Sequence, residues 1–196
     1  MKDLENYRLA GNKLDIVVYP HPILKKKARK VELFDNSLKT LAFDMLYTMY
    51  NSLGVGLAAP QVAKGLRLFV ADVDYEYEIQ ENSEGEDKTS KQIVFKNFNP
   101  RIFINPEIVK KEGETLQKEG CLSFPGIYEK VKRAEKVTVE YDDLSGKKKM
   151  SDADGLLSVC IQHEHDHLDG VIFLERMGRL KHRFFMNKYL KNKKKK

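Results

Sequence analysis

Six consecutive residues, Gln162-His163-Glu164-His165-Asp166-His167, constrain this chain more than any other feature. Within them, His163, Glu164 and His167 form an H-E-x-x-H pattern. On a helix, residues four apart share a face, so both imidazoles can converge on one ion. Glu164 reaches the same neighbourhood and is placed to handle the protons of a metal-bound water. Leu156, Cys160, His163 and His167 fall on one helical stripe that is apolar before it reaches the histidines. The stripe therefore faces inward, where an imidazole without a partner would be costly, and Leu156 and Cys160 should wall a pocket beside the ion. His165 points off the stripe and reads as a surface histidine. No partner is identifiable for His21 or His182.

The fold must supply a buried helix for this motif. Asp152 or Asp154 can cap it, the helix running from Gly155 to Asp169 with Gly170 ending it. A second amphipathic helix is predicted from the spacing of Leu38, Leu41, Ala42, Met45, Leu46, Met49 and Leu53, capped by Asn36 and Ser37 and stopped at Gly54. A short last helix is expected over Glu175–Leu190, with Met177, Leu180, Phe184 and Tyr189 as packing residues. Leu66–Val73 reads as a buried strand, and Arg101–Ile104 as a short one closed by Asn105-Pro106. Val137, Val139 and Tyr141 alternate with polar residues and lead into a hairpin turn at Asp142–Gly146. Strands and helices that do not alternate indicate an α+β fold: antiparallel or mixed strands around the central motif-bearing helix.

The chain has 196 residues, of which 41% are hydrophobic and 33% charged, which suits one domain over 1–196. Asp74–Asn99, rich in Glu and Asp, reads as a surface insertion without chemistry. No apolar run is long enough to span a membrane, and Met1–Leu14 lacks the apolar stretch of a secretory signal. The expected location is the cytoplasm, with no membrane partner and no nucleotide cofactor. Much of the net charge of +6 sits in Lys191–Lys196, where five of six residues are lysine. This tail is either a solvated, disordered end or a contact for an anionic partner such as RNA.

Two histidines do not complete a catalytic metal site, which takes three protein ligands and an open position. Glu175 is the only carboxylate after Asp169. Upstream, Cys121 lies in Glu119-Gly120-Cys121-Leu122-Ser123-Phe124-Pro125, a tight loop suited to presenting a thiolate and backbone N–H groups. A lone cysteine is more often a small core residue, so both third ligands stay open on spacing alone.

Three blocks stand together: Gly54-Val55-Gly56-Leu57-Ala58-Ala59-Pro60-Gln61, Glu119-Gly120-Cys121-Leu122-Ser123, and Gln162 through Gly170. In this order they resemble the signature blocks of the peptide deformylase family. Tyr19-Pro20-His21-Pro22-Ile23-Leu24, Ile104-Asn105-Pro106, Arg133-Ala134-Glu135 and Asp154-Gly155-Leu156-Leu157 add to the likeness, which spans roughly Ile16–Leu174.

The resemblance implies removal of the formyl group from formyl-methionyl nascent polypeptides, releasing formate. It makes Cys121, His163 and His167 the ligands of one divalent ion, Fe²⁺ first, with Zn²⁺, Ni²⁺ or Co²⁺ able to replace it. Glu164 would be the general acid/base, and Gln61 with the Leu122 N–H would bind the oxyanion. Val55, Leu156 and Cys160 would line the methionine pocket, and the chain near Gly56 would pair with substrate backbone. Glu119, counted with the substrate-binding residues, resembles the acid of an internal ion pair with Arg133 that supports the Cys121 loop. Leu57 is either pocket or plain core. A nascent-chain enzyme would also gain from a ribosome contact through the lysine tail. Three rivals remain: an H-E-x-x-H endopeptidase, a structural-zinc module that binds ribosomal RNA, and a family member without activity.

Overall fold

The computed structural model describes residues 11–81 and 91–193. Helix α1 (Asn36–Asn51) opens with Asp35, not Asn36 or Ser37, as N-cap: its Oδ1 accepts from Leu38 N at 3.0 Å, and the Ser37 hydroxyl donates to the same oxygen at 2.6 Å. The helix ends at Ser52, ahead of the expected Gly54, because Leu53 turns left-handed (φ 53°) and Gly54 N bonds back to Met49 O at 3.0 Å.

The strands are β1 (Gly56–Ala58), β2 (Leu68–Ala71), β3 (Glu76–Glu81), β4 (Lys91–Lys96), β5 (Arg101–Glu112), β6 (Thr115–Gly120), β7 (Tyr128–Arg133), β8 (Lys136–Asp142) and β9 (Lys148–Asp154). Strands β1-β2-β5-β8-β9 form one antiparallel sheet in that order, so β1 is an edge; β3–β4 and β6–β7 are separate hairpins. Strand β5 does not close at Asn105-Pro106 as expected. It runs on to Glu112 through an irregularity between Ile104 and Glu107. Asn105 takes φ 50° there, and its amide replaces ladder bonds: Oδ1 accepts from Val31 N at 2.8 Å, and Nδ2 donates to Val31 O and Asp142 Oδ2, both at 2.9 Å.

Period-two alternation places the core. Leu68 and Val70 pack with α1 on one face of the sheet; Phe69 and Ala71 pack on the other against Cys160 and Ile161 of helix α2 (Gly155–Leu168). Asp154 precedes α2 without a side-chain cap bond, while Asp152 accepts from Thr138 Oγ1 at 2.6 Å. A third cluster joins Phe124, Ile127 and Val131 to Ile172, Phe173 and Tyr189.

The last helix differs from expectation. A 3-10 turn (Phe173–Arg176) comes first, and a separate helix α3 follows over Arg179–Lys193, as long as the others; Gly178 lies between them. Met177 and Tyr189 pack as expected, but Leu180 is 87% and Phe184 62% exposed; Phe185 and Met186 take the inward positions. Lys191 and Lys193 belong to α3, and the end of the tail, 194–196, lies outside the described residues, as does most of the polar N-terminal segment. The 74–99 segment carries the β3–β4 hairpin. Its Tyr75, Phe95 and Phe98 pack around Tyr50 of α1 with ring centroids 5.1, 6.1 and 5.0 Å away. No helix among the described residues is long and apolar enough to cross a membrane.

Candidate metal centre

Three elements converge on one point. Cys121 sits in the turn between β6 and β7, held by Phe124 N donating to Cys121 O at 2.9 Å and by Tyr19 N donating to Ser123 O at 3.0 Å. Gly120 beside it lets the Tyr128 ring pack close over the strand, since a Cβ there would lie 2.5 Å from that ring. His163 and His167 come from α2, which Gln162 pins to β7's exit: Ala134 N donates to Gln162 Oε1 at 3.0 Å, and Gln162 Nε2 donates to Ala134 O at 2.9 Å. The ligand atoms of Cys121, His163 and His167 lie within 4.8 Å of one another, with Cys121 Sγ 3.3 Å from His167 Nε2. Glu175 is elsewhere, accepting from Lys25 Nζ at 2.7 Å and from Ile172 N at 3.1 Å.

Burial alone would raise the Glu119 carboxyl, but hydrogen bonds from Arg133 and His163 hold it below its ordinary value. It is therefore ionised and can only accept. His163 Nδ1, 2.8 Å from Glu119 Oε2, must carry the proton, which leaves its Nε2 lone pair for a cation. Burial would lower His163 as well, yet Cys121 and Glu119 draw it well above the usual histidine value, so a cation binding at Nε2 takes the place of a proton there. His167 is pushed down to about 3 by burial and by His163, and so is neutral. One thiol and two buried imidazoles fit a divalent ion with one position open.

Glu164, 4% exposed, has its carboxyl pushed up to about 7, chiefly by burial, and its Oε2 has no hydrogen-bond partner among the described residues. A carboxyl so poised exchanges protons near neutral pH. Gln61, on a 3-10 turn (Ala59–Val62), is oriented by Ala58 N donating to its Oε1 at 2.8 Å. That turns Nε2 toward Cys121 Sγ, 3.5 Å away, and Ser123 Oγ, 3.4 Å away.

A cleft of about 650 Å³ opens here, lined among others by Val55, Gly56, Leu122, Leu156, Cys160 and Glu164. Leu57, by contrast, is fully buried against α1 and belongs to the core. The Cys160 thiol is pushed up by burial and by Glu164, stays protonated, and donates to Val55 O at 3.4 Å. Both cysteines are free, and Cys160 is outside the ligand cluster, so among the described residues the centre has three donors where a structural zinc takes four.

Glu119 lines the cleft, but both its oxygens are engaged: Arg133 Nε and Nη2 donate to them at 2.7 and 2.9 Å, and His163 shares one. Its carboxylate orients a histidine and is not free for a peptide. His165 is not the surface residue expected. Its Nε2 lies 3.3 Å from Arg67 Nη2 and its Nδ1 3.5 Å from Asp169. His21 caps the turn that follows it, accepting from Ile23 N at 3.3 Å. Sequence reasoning missed Asp166, which accepts from Arg133 Nη1 at 2.6 Å and from Arg176. Its place one turn after His163 on a buried helix was the available signal.

Comparison with known proteins agrees with this geometry. A profile of the polypeptide deformylase family matches residues 13–183. A peptide deformylase of Chromobacterium violaceum is 46% identical over 181 residues, covering 92% of this chain and 96% of that protein. One from Neisseria gonorrhoeae is 45% identical over 168 residues, covering 86% and 89%. The crystal structure of a Legionella pneumophila peptide deformylase superposes with a TM-score of 0.74 at 41% identity, covering 93% of this chain and 96% of that one. That from Synechococcus elongatus in complex with actinonin gives 0.74 at 38% identity over 92% and 89%.

Proposed function

The chain belongs to the polypeptide deformylase family, and from that premise we propose how its residues divide the work. It is a metallohydrolase that removes the formyl group from formyl-methionyl nascent peptides, using a single divalent ion. The observation that carries the assignment of roles is the cluster of Cys121, His163 and His167 ligand atoms, with the partner-free Glu164 carboxylate oxygen on the same helix.

Cys121 Sγ, His163 Nε2 and His167 Nε2 hold the ion, which when bound supplies a water acidic enough to attack at neutral pH. Val55, Leu156 and Cys160 receive the methionine side chain, and β1, the edge strand of the sheet, takes the peptide backbone at Gly56 by strand addition. Glu164 takes the proton of the attacking water and passes it to the departing amine. The Gln61 amide and the Leu122 N–H donate to the oxyanion as the formyl carbon becomes tetrahedral. Glu119, locked by Arg133, keeps the proton on His163 Nδ1. The balanced outcome is one water consumed, the C–N bond cleaved, and formate and a free methionine amine released.

Fe²⁺ is our choice of ion, with zinc, nickel or cobalt as substitutes; metal content of protein purified without oxygen tests it. The whole chain, 1–196, acts as one catalytic unit. Its substrate arises where chains are made, so we place it in the cytoplasm, with Lys191 and the lysines beyond it against ribosomal RNA. Serine in place of these lysines should weaken co-sedimentation with ribosomes at low salt; equal pelleting would refute the contact.

The central test is formate release from a formyl-Met peptide by wild type and Glu164→Gln, with metal measured on both. Wild type should turn over and lose activity to a chelator. The variant should keep its metal and lose turnover by ~10²-fold or more. Equal rates would remove Glu164 from the chemistry.

A further inference from the structure

We propose that the β3–β4 hairpin is a second part of the substrate site, an apolar shelf that receives the third and following residues of the peptide when these are apolar. The inference rests on the deformylase reading and extends it beyond the methionine pocket.

The hairpin keeps one apolar face. Its register pairs Tyr77 with Phe95 and Ile79 with Ile93, so all four side chains share a side, while Glu78 and Val94 hold the other, where Lys96 Nζ donates to Glu78 at 2.8 Å. The inner end of this face is anchored: Tyr75 and Phe95 pack against the core cluster of α1. The outer end is uncovered, with Tyr77 46%, Ile79 56% and Ile93 39% exposed. Tyr77 lines the same cleft as His163 and Glu164, which shows where the face looks. Tyr128 and Lys118, whose Nζ lies 5.6 Å from the Tyr128 ring centroid, line that cleft from the β6–β7 hairpin.

The direction of the peptide follows from the β1 edge. Gly56 marks the reactive end, because a Cβ on it would lie 2.5 Å from Glu164 Oε1 and 2.8 Å from Cys160 Sγ. Two residues away, Gly54 O accepts from Tyr75 OH at 3.1 Å, and Val55 O accepts from Asp72 N at 2.9 Å. The root of the hairpin therefore braces the far end of the edge. A peptide with its formyl group at the ion and its backbone along this edge runs from Gly56 toward Gly54. Each extended residue advances ~3.4 Å, so the methionine lies opposite Gly56 and the third residue arrives beside Tyr75. From there the chain passes under Tyr77 and Ile79. The hairpin thus both positions the edge, through Tyr75, and supplies the surface beyond it.

The test compares kcat/KM for formyl-Met-Ala-Leu and formyl-Met-Ala-Ser amides on metal-loaded wild type, Tyr77→Ala and Tyr77→Phe. Partial burial of the leucine should favour it about tenfold in wild type, mostly through KM. Tyr77→Ala should bring the ratio toward one, and Tyr77→Phe should keep it. Because the readout is a ratio within each protein, any loss of folded or loaded enzyme cancels. A wild-type ratio near one, or the same ratio in wild type and Tyr77→Ala, overturns the shelf while leaving deformylation standing. No formate from any formyl-Met peptide would overturn the underlying reading instead.

Discussion

Replacing Gly56 with Ala tests the site through a single methyl group. The glycine has no left-handed φ to excuse it, so any cost comes from space. The new Cβ would stand 2.5 Å from Glu164 Oε1, 2.8 Å from Cys160 Sγ and 2.9 Å from Glu164 Cδ. Ordinary contact begins at 3.4 Å, so about 0.9 Å must be found. The helix cannot retreat to provide it: Gln162 is tied to Ala134 by two hydrogen bonds, and Ile161 is fully buried against the sheet. The carboxylate of Glu164 must swing instead. Moving a reacting group by ~1 Å costs on the order of 10²-fold in rate, and crowding a packed interior costs ~1–3 kcal/mol. Gly56→Ala should therefore lower kcat about 10²-fold on a formyl-Met peptide and lower Tm by several degrees, with metal content unchanged. Gly65→Ala, where a Cβ meets nothing within 4 Å, is the control and should match wild type. Activity of Gly56→Ala within threefold of wild type, at equal metal loading, would refute the reasoning, because it would mean that the position of Glu164 does not limit the reaction.

Gln61→Ala should cut kcat by ~10²–10³-fold with little change in KM or metal content, as expected for a donor used in the transition state; a change confined to KM would argue for a plain binding role. Arg133→Ala strands Glu119 among buried groups and leaves Asp166 with Arg176 alone, so urea unfolding should show a loss of about 3–5 kcal/mol. Burial opposes ionisation of Glu119 and Asp166, but hydrogen bonds from Arg133 and His163 to the first, and from Arg176 and Arg133 to the second, hold both below their ordinary values of 4.5 and 3.8. A lowered folded-state pKa gives stability that is complete above the ordinary value and lost as pH falls through the folded one. Wild-type stability should accordingly drop below about pH 4, more steeply than that of Arg133→Ala; parallel acid profiles would count against the network.

How much of this was legible in sequence depended on the range of the interaction. The motif helix, most of the α1 stripe and the β8–β9 hairpin follow from local periodicity; Leu53, beyond the end of α1, and Leu156, which lines the open cleft and does not turn into the core, are left 39% and 53% exposed. The convergence of Cys121 with the histidines was readable only through likeness to a family, because 42 residues separate the loop from His163 and nothing local couples them. What stayed hidden was decided by tertiary partners. Asn105-Pro106 looks like a stop, but Val31 and Asp142 satisfy the amide of Asn105 and let β5 continue. His165 looks like a surface residue because its partner, Arg67, is 98 positions away. The Glu- and Asp-rich segment hid a hairpin because composition does not report that Tyr75 and Phe95 pack on α1.

The buried charges explain why the ligands can be borrowed from separate elements and still be exact in chemistry. Glu119 is the last residue but one of β6, two positions before Cys121, and Asp166 sits one residue before His167. Arg133, from β7, donates to both, so a single guanidinium ties the cysteine loop to the histidine helix. Arg176 extends the link to the turn that precedes α3. An ion pair of this depth gives little net stability against an apolar replacement; what it does supply is relative position and a fixed tautomer for His163. That separates two consequences which a stability measurement alone would merge. Loss of Glu119 charge should weaken metal retention even where the fold survives, since His163 would then be free to carry its proton on either nitrogen.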